Sequence, residues 1–114
     1  MTAIYPVLGQ VSPTGTSQTT LYVVPAGKYV VGSTLFLANI THLTSEADIL
    51  VTVRVRPAGV TAVNKHIIVP GVRIQPRTVE TVTAGFSMEA GDLMTVECDV
   101  ANGLAASLFG TVLP

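Results

Sequence analysis

Hydrophobic and polar residues alternate with a period of two over most of the chain from residue 19 onward. The alternation is clearest in Ile49–Arg56, where branched apolar residues occupy every second position and mainly polar residues lie between them. This spacing predicts a β-strand with one buried face and one exposed face. The same interpretation predicts further strands at Thr19–Val24, Tyr29–Ile40, Lys65–Val69, Arg77–Ser87, Leu93–Ala101 and Leu104–Leu113.

Turn signals separate these segments, and no segment shows the 3.6-residue period of an amphipathic helix. The strongest of them is Asn102-Gly103, a pair typical of two-residue hairpin turns. It predicts that Leu93–Ala101 pairs in antiparallel fashion with Leu104–Leu113. Strand number and turn spacing together predict one all-β domain, an antiparallel β-sandwich or jelly roll of about seven or eight strands.

Residues 1–18 lack this periodicity, because proline, glycine and small polar residues interrupt it. We therefore expect an N-terminal arm over residues 1–18, followed by a single β-sandwich domain over residues 19–114. The arm contains one short apolar piece, which could dock on the body or on a neighbouring subunit. Its candidate partner-binding residues are Ile4, Tyr5, Val7 and Leu8.

Charge is scarce for a protein of this size. Asp, Glu, Lys and Arg make up 11% of the 114 residues, the formal net charge is −1 and the mean hydropathy is +0.57, whereas an ordinary soluble domain has about 25% charged residues. The surface must therefore be rich in Thr and Ser, or partner subunits must cover part of it. Basic residues form no patch of the kind that binds phosphates, so we expect no nucleic-acid partner.

Arg54 and Arg56 are the exception to the scattered basic residues, because they project from the same face of one strand. Such a pair could bind carboxylates on a partner protein. The alternative is a pair of solvated charges that discourages edge-to-edge aggregation.

We also expect no membrane insertion and no secretory signal, since no apolar run approaches about 20 residues and the start lacks a basic segment.

Candidate catalytic chemistry is sparse. His42 and His66 have no spacing that suggests a metal site or a triad, and we interpret them as surface or loop residues. Cys98 is the only cysteine and is expected to be a buried free thiol. Four acidic residues near one turn could contribute to a calcium site, which needs 6–8 oxygen ligands, but a solvated acidic face is the simpler interpretation. They are Glu89, Asp92, Glu97 and Asp99. We predict no enzyme activity and no catalytic, metal or cofactor site.

Several segments carry a resemblance to a known family. Thr20–Lys28, which reads TLYVVPAGK, resembles the opening of small β-sandwich virion proteins of tailed bacteriophages. The similarity continues through a long strand with an asparagine near its end, a VRVRPAG segment, a KHIIV strand and a late MEAGDLM element. These are Tyr29–Ile40 with Asn39, Val53–Gly59, Lys65–Val69 and Met88–Met94. The resemblance covers roughly residues 19–110.

The resemblance implies a virion location for a chain made in the host cytoplasm. It implies a capsid decoration (cement) protein that binds the major capsid protein or other virion subunits, often as a homotrimer. A tail- or fibre-associated structural subunit is an alternative within the same family. A carbohydrate- or ligand-binding β-sandwich module is a further alternative, although such modules usually expose aromatic residues and this chain has no Trp.

Overall fold

The computed structural model describes residues 6–114, apart from the side chain of Ala84. Within this range the chain forms eight β-strands and three short 3₁₀ turns, the turns at Thr41–Leu43, Pro57–Gly59 and Asn64–His66. The strands are β1 (Val7–Val11), β2 (Thr19–Val23), β3 (Tyr29–Asn39), β4 (Ile49–Arg56), β5 (Ile67–Ile74), β6 (Val79–Glu89), β7 (Leu93–Cys98) and β8 (Leu104–Leu113). The predicted all-β sandwich is confirmed.

The strands form two four-stranded antiparallel sheets. The first sheet has the order β1-β8-β3-β6 and the second has the order β2-β7-β4-β5. Each strand of the first half pairs with its counterpart in the second half: β1 with β8, β2 with β7, β3 with β6 and β4 with β5. The chain is thus folded back on itself at the β4–β5 connection and rolled into two layers, which is the jelly-roll arrangement.

The predicted pairing of the last two strands is wrong. β7 lies in the second sheet and β8 in the first, so Asn102-Gly103 carries the chain between sheets and does not close a hairpin. The Gly103 amide donates a hydrogen bond to the Val100 carbonyl at 3.1 Å, and Asn102 has φ +60°. One positive φ in a four-residue turn differs from the type I′ turn, which needs two. A Cβ at Gly103 would lie 2.9 Å from Thr41 Cγ2, so the glycine serves close packing.

The expectation of an irregular arm is also wrong for part of residues 1–18. Val7–Val11 forms β1, which pairs with β8 at the edge of the first sheet. This strand crosses close to the second sheet, because a Cβ at Gly9 would overlap the carbonyl oxygen of Leu21. The absence of a long side chain at Gly9 hides the strand from a periodicity argument, yet it is what permits the strand to pack there.

The core lies between the two sheets and follows the predicted alternation. Val51 and Val53 of β4, Val96 of β7 and Leu108 of β8 are fully buried. Cys98 is buried among them, as expected. Large buried aliphatic side chains at every second position drive this packing, at roughly 1.5–3 kcal/mol for each one fully buried.

Two strands contain irregularities that glycine or proline permits. β3 has a register shift between Gly32 and Thr34, and a Cβ at Gly32 would overlap the Phe86 ring. β5 was expected to end at Pro70-Gly71 but continues through both residues, with φ +62° at Gly71. Since β5 is an edge strand, the missing amide hydrogen of Pro70 has a tolerable cost.

A buried amide fixes the end of β3. Asn39 is 2% exposed, and its Nδ2 donates to the carbonyl oxygens of Ile74 at 2.8 Å and Ala47 at 2.9 Å. Its Oδ1 accepts hydrogen bonds from the Thr41 amide at 2.9 Å and from the Thr41 hydroxyl at 2.7 Å. The side chain therefore joins β3, β5 and the β3–β4 connection with all its polar atoms satisfied.

Candidate functional site

The apolar residues predicted to contact a partner fall in different environments. Val7, in β1, is 48% exposed and lies on the outer side of the first sheet opposite Phe109. Leu8 points the other way and packs against the core. Ile4 and Tyr5 lie outside the described residues. Val7 is therefore available to a partner, whereas Leu8 contributes to the fold.

The arginine pair lies on the outer side of the second sheet, on the opposite face of the sandwich from Val7. Arg54 donates from Nη1 to Glu97 Oε1 at 2.8 Å and its side chain is only 17% exposed. Arg56 donates from Nε to the carbonyl oxygen of Val60 at 2.7 Å. Both guanidinium groups thus already have partners within the chain. Their role in binding a partner protein stays a prediction, and the fold does not bring them together with Val7 and Leu8, which lie in the first sheet.

The four acidic residues do not converge. Asp92 accepts from the backbone amides of Ala58 at 2.8 Å and Glu89 at 2.9 Å, so it stabilises the β6–β7 turn. Glu97 pairs with Arg54, and Asp99 accepts from the Leu50 amide at 2.8 Å. Among the described residues no group of three or more His, Cys, Asp and Glu side chains could hold a metal ion.

The histidines are also separate. His42 is exposed in the first 3₁₀ turn. His66, expected at the surface or in a loop, is buried at 6% exposure and its Nδ1 accepts a hydrogen bond from the Val63 amide at 3.2 Å. Burial raises the pKa of the Cys98 thiol, which makes it a poor nucleophile at neutral pH.

The most distinctive surface is the outer side of the first sheet, which we call the neutral face. It consists of the outward side chains of β1, β8, β3 and β6. β1, β3 and β8 contain no Asp, Glu, Lys or Arg. In β6, Glu80 lies opposite the inward-facing Leu37, and Glu89 lies opposite Tyr29 at one corner. Within the described residues, Glu89 is therefore the only charged side chain that the strands of this sheet direct outward.

The neutral face combines exposed apolar groups with uncharged polar ones. Near its middle, the rings of Phe36 and Phe109 make an edge-to-face contact with centroids 5.5 Å apart. Thr81 and Ser107 flank Phe36 on the two neighbouring strands. Six large hydrophobic side chains on this face are between 37% and 55% exposed: Val7, Tyr29, Val31, Phe36, Val79 and Leu113. Contiguous exposed apolar groups of this kind mark interaction surfaces.

Sequence reasoning did not identify the neutral face, although part of its signal was present. The absence of charge from Tyr29–Asn39 and from Leu104–Leu113 is visible in the sequence. What the sequence does not give is that these two strands are neighbours and that β1 extends the same surface.

A second apolar feature lies where the two sheets end. A cleft of about 390 Å³ opens between β6 of the first sheet and β4 and β5 of the second. It is lined mainly by apolar side chains, namely Leu35, Val55, Ile68, Val82, Phe86 and Met88. Because β5 and β6 are terminal strands of their sheets in the described part of the chain, the cleft is an open side of the sandwich.

Fold and surface together define a jelly-roll β-sandwich domain whose distinctive features are an uncharged sheet face and an apolar cleft. No family model, curated protein or solved structure matches this chain. Residues 6–114 include no apolar helix long enough to span a membrane.

Proposed function

We propose that this chain is a structural protein of a tailed-phage virion, a capsid decoration (cement) protein that binds the outer capsid surface and stabilises the head. The observation that carries the proposal is the neutral face. Interface centres are depleted in charge and enriched in aromatic residues, with a polar rim. A face with Phe36 and Phe109 near its middle and threonine and serine beside them has this composition.

The size of the neutral face suits a protein partner. The four strands have 5, 10, 11 and 11 residues. At about 3.3 Å per residue and a strand spacing of about 4.8 Å, they cover roughly 600 Å². Specific interfaces bury about 600–1,000 Å² on each partner. A flat surface of this extent fits another protein better than a small molecule, which prefers a concave pocket.

Two further considerations support the virion assignment. The strand and turn motifs from Thr20–Lys28 to Met88–Met94 resemble those of small phage virion proteins. Double-sheet jelly rolls recur in viral capsid and lectin domains. Binding to assembled particles tests this assignment.

A matched pair of substitutions tests the proposal. Phe36 on the neutral face and Leu50 on the second sheet are 39% and 40% exposed. We expect Phe36→Lys to reduce loading onto heads assembled without this protein at least tenfold, because a charge would be buried at the contact. Leu50→Lys should load like the wild type. Thermal melting of both variants by circular dichroism checks that each is folded.

The results separate the alternatives. Equal loading of the two variants would remove the neutral face from the proposal. Wild-type protein that binds tails or fibres and not heads would assign it to the tail. Tyr29 is 55% exposed, so sugar stacking is a second possibility for this face; glycan binding that is lost in Tyr29→Ala, without any particle binding, would favour a carbohydrate-binding module.

A further inference from the structure

The cleft between β5 and β6 is an apolar site that the described chain leaves unfilled. Its volume of about 390 Å³ lies within the range of pockets that enclose a ligand, about 300–1,000 Å³. Ile68 lines it and is 45% exposed. β5 and β6 each end a sheet in the described residues, so each presents unpaired backbone groups beside the cleft. An extended segment could pair with such an edge while its side chains enter the cleft.

The chain carries a segment of suitable chemistry directly before β1. Ile4 and Tyr5 are the two large apolar side chains of residues 1–5 that lie nearest to β1 in sequence, and this segment contains no Asp, Glu, Lys or Arg. One aliphatic and one aromatic side chain suit a cleft of this size and polarity. An uncharged segment also avoids burying an unpaired charge there.

The segment cannot reach the cleft of its own molecule. β1 and β6 are the two opposite ends of the first sheet, three strand spacings apart, which amounts to about 14 Å. Ile4 is two residues from Pro6, a span of at most about 7 Å. A second copy of the chain has no such restriction.

The start of β1 and the β5–β6 cleft lie at the same level along the first sheet. The Gly110 amide donates to the Pro6 carbonyl oxygen at 3.1 Å, Gly110 lies opposite Gly32, and Gly32 lies opposite Phe86, which lines the cleft. A neighbour placed side by side would therefore present its cleft level with the departing segment.

We propose that Ile4 and Tyr5 of one copy occupy the β5–β6 cleft of the next copy. The N-terminal segment and the cleft are different parts of the molecule, so the contact is head-to-tail. Such a contact produces a closed ring when the rotation from one copy to the next brings the last copy back to the first. A ring of three copies, each donating one segment and accepting one, would be the homotrimer that the family resemblance implies. The inference concerns the oligomer and does not depend on what the neutral face binds.

Disulfide trapping tests the contact in purified protein without any particles. The native Cys98 is 1% exposed and does not interfere. We expect Tyr5→Cys/Ile68→Cys, after oxidation, to give an inter-chain ladder ending in a covalent trimer. Tyr5→Cys/Leu50→Cys is the matched control and should give no ladder, since Leu50 has a similar exposure on another surface. A double-cysteine variant that stays a monomer, or closes only an intrachain bridge, overturns the proposal.

Light scattering after size-exclusion chromatography gives an independent measurement. Ile68→Lys should raise the concentration at which half the protein is oligomeric at least tenfold, and Tyr5→Asp should have the same effect. Leu50→Lys should leave it unchanged. A wild-type protein that is monomeric at every concentration, or an oligomer insensitive to both substitutions, contradicts the inference whether or not the protein binds heads.

Discussion

The buried amide of Asn39 allows the sharpest prediction about stability. Asn39→Ala removes the donor that reaches the Ile74 carbonyl and the acceptor that serves the Thr41 amide. In the variant the Ala47 carbonyl oxygen still has a donor, because the Thr41 hydroxyl lies 2.7 Å away and can turn its single proton from Asn39 Oδ1 to this oxygen. Two buried backbone groups therefore lose a hydrogen-bond partner, and the site is too well enclosed for bulk water to replace it.

The magnitude follows from these two groups. An unsatisfied buried polar group costs about 1–3 kcal/mol, so Asn39→Ala should lower the free energy of unfolding by roughly 2–6 kcal/mol. A domain of this size has about 5–15 kcal/mol in total. The substitution should thus remove a large part of the stability, although Asn39 is a polar residue at the end of β3 and does not belong to the apolar core.

Urea unfolding followed by far-ultraviolet circular dichroism measures the effect, since the chain has no tryptophan. The midpoint should fall while the slope with denaturant stays constant. Gln10→Ala is the matched control: it removes an exposed hydrogen bond to Ser107 and should change stability by less than about 0.5 kcal/mol. If Asn39→Ala costs less than about 1 kcal/mol, the argument that this amide fixes the end of β3 is refuted.

Three further predictions use the same unfolding measurement. Gly32→Ala should cost about 1–3 kcal/mol because its Cβ would overlap the Phe86 ring, whereas Gly85→Ala, with no atom within 4 Å, should be nearly neutral; equal effects would contradict the packing. Asn102 has φ +60°, so Asn102→Gly should be tolerated and Asn102→Val should cost about 1–2 kcal/mol; a tolerated valine would exclude the left-handed conformation. Burial raises the pKa of Cys98, so the folded protein keeps a proton that the unfolded chain loses above about pH 8.5. The stability that this proton contributes should be complete below that pH and be lost as pH rises through the folded pKa of the thiol. Cys98→Ala should remove this part of the pH dependence of stability, and an unchanged dependence would contradict the burial argument.

The positions of the strands were determined largely by the sequence. The bounds predicted for Ile49–Arg56 and Leu104–Leu113 are those observed. Alternation predicts strand positions because a strand directs successive side chains to opposite faces. When one face is buried, apolar residues must therefore occupy every second position. The same reason explains the correct prediction that Cys98 faces the core.

Local patterns did not determine strand pairing. Asn102 has the left-handed conformation that its residue type favours, but a turn of this kind serves a crossing between sheets as well as a hairpin. The turn crosses between the sheets because the whole chain folds back at the β4–β5 connection, and this places β8 between β1 and β3 in the first sheet. β1 forms a strand because it pairs with the edge of β8, and the local composition of residues 7–11 does not predict this pairing.

The candidate surfaces show the same division. Lack of charge in the segments that form β1, β3 and β8 is a property of the sequence alone. Their assembly into one neutral face, and the placement of the apolar cleft at the opposite edge of the first sheet from β1, are products of the jelly-roll strand order. Apart from β1 and the second half of β5, the sequence by itself determined where the strands run and which side of each is buried, because these depend on nearest neighbours along the chain. Only the tertiary structure decided which strands share a surface, because that depends on pairings between residues far apart in sequence.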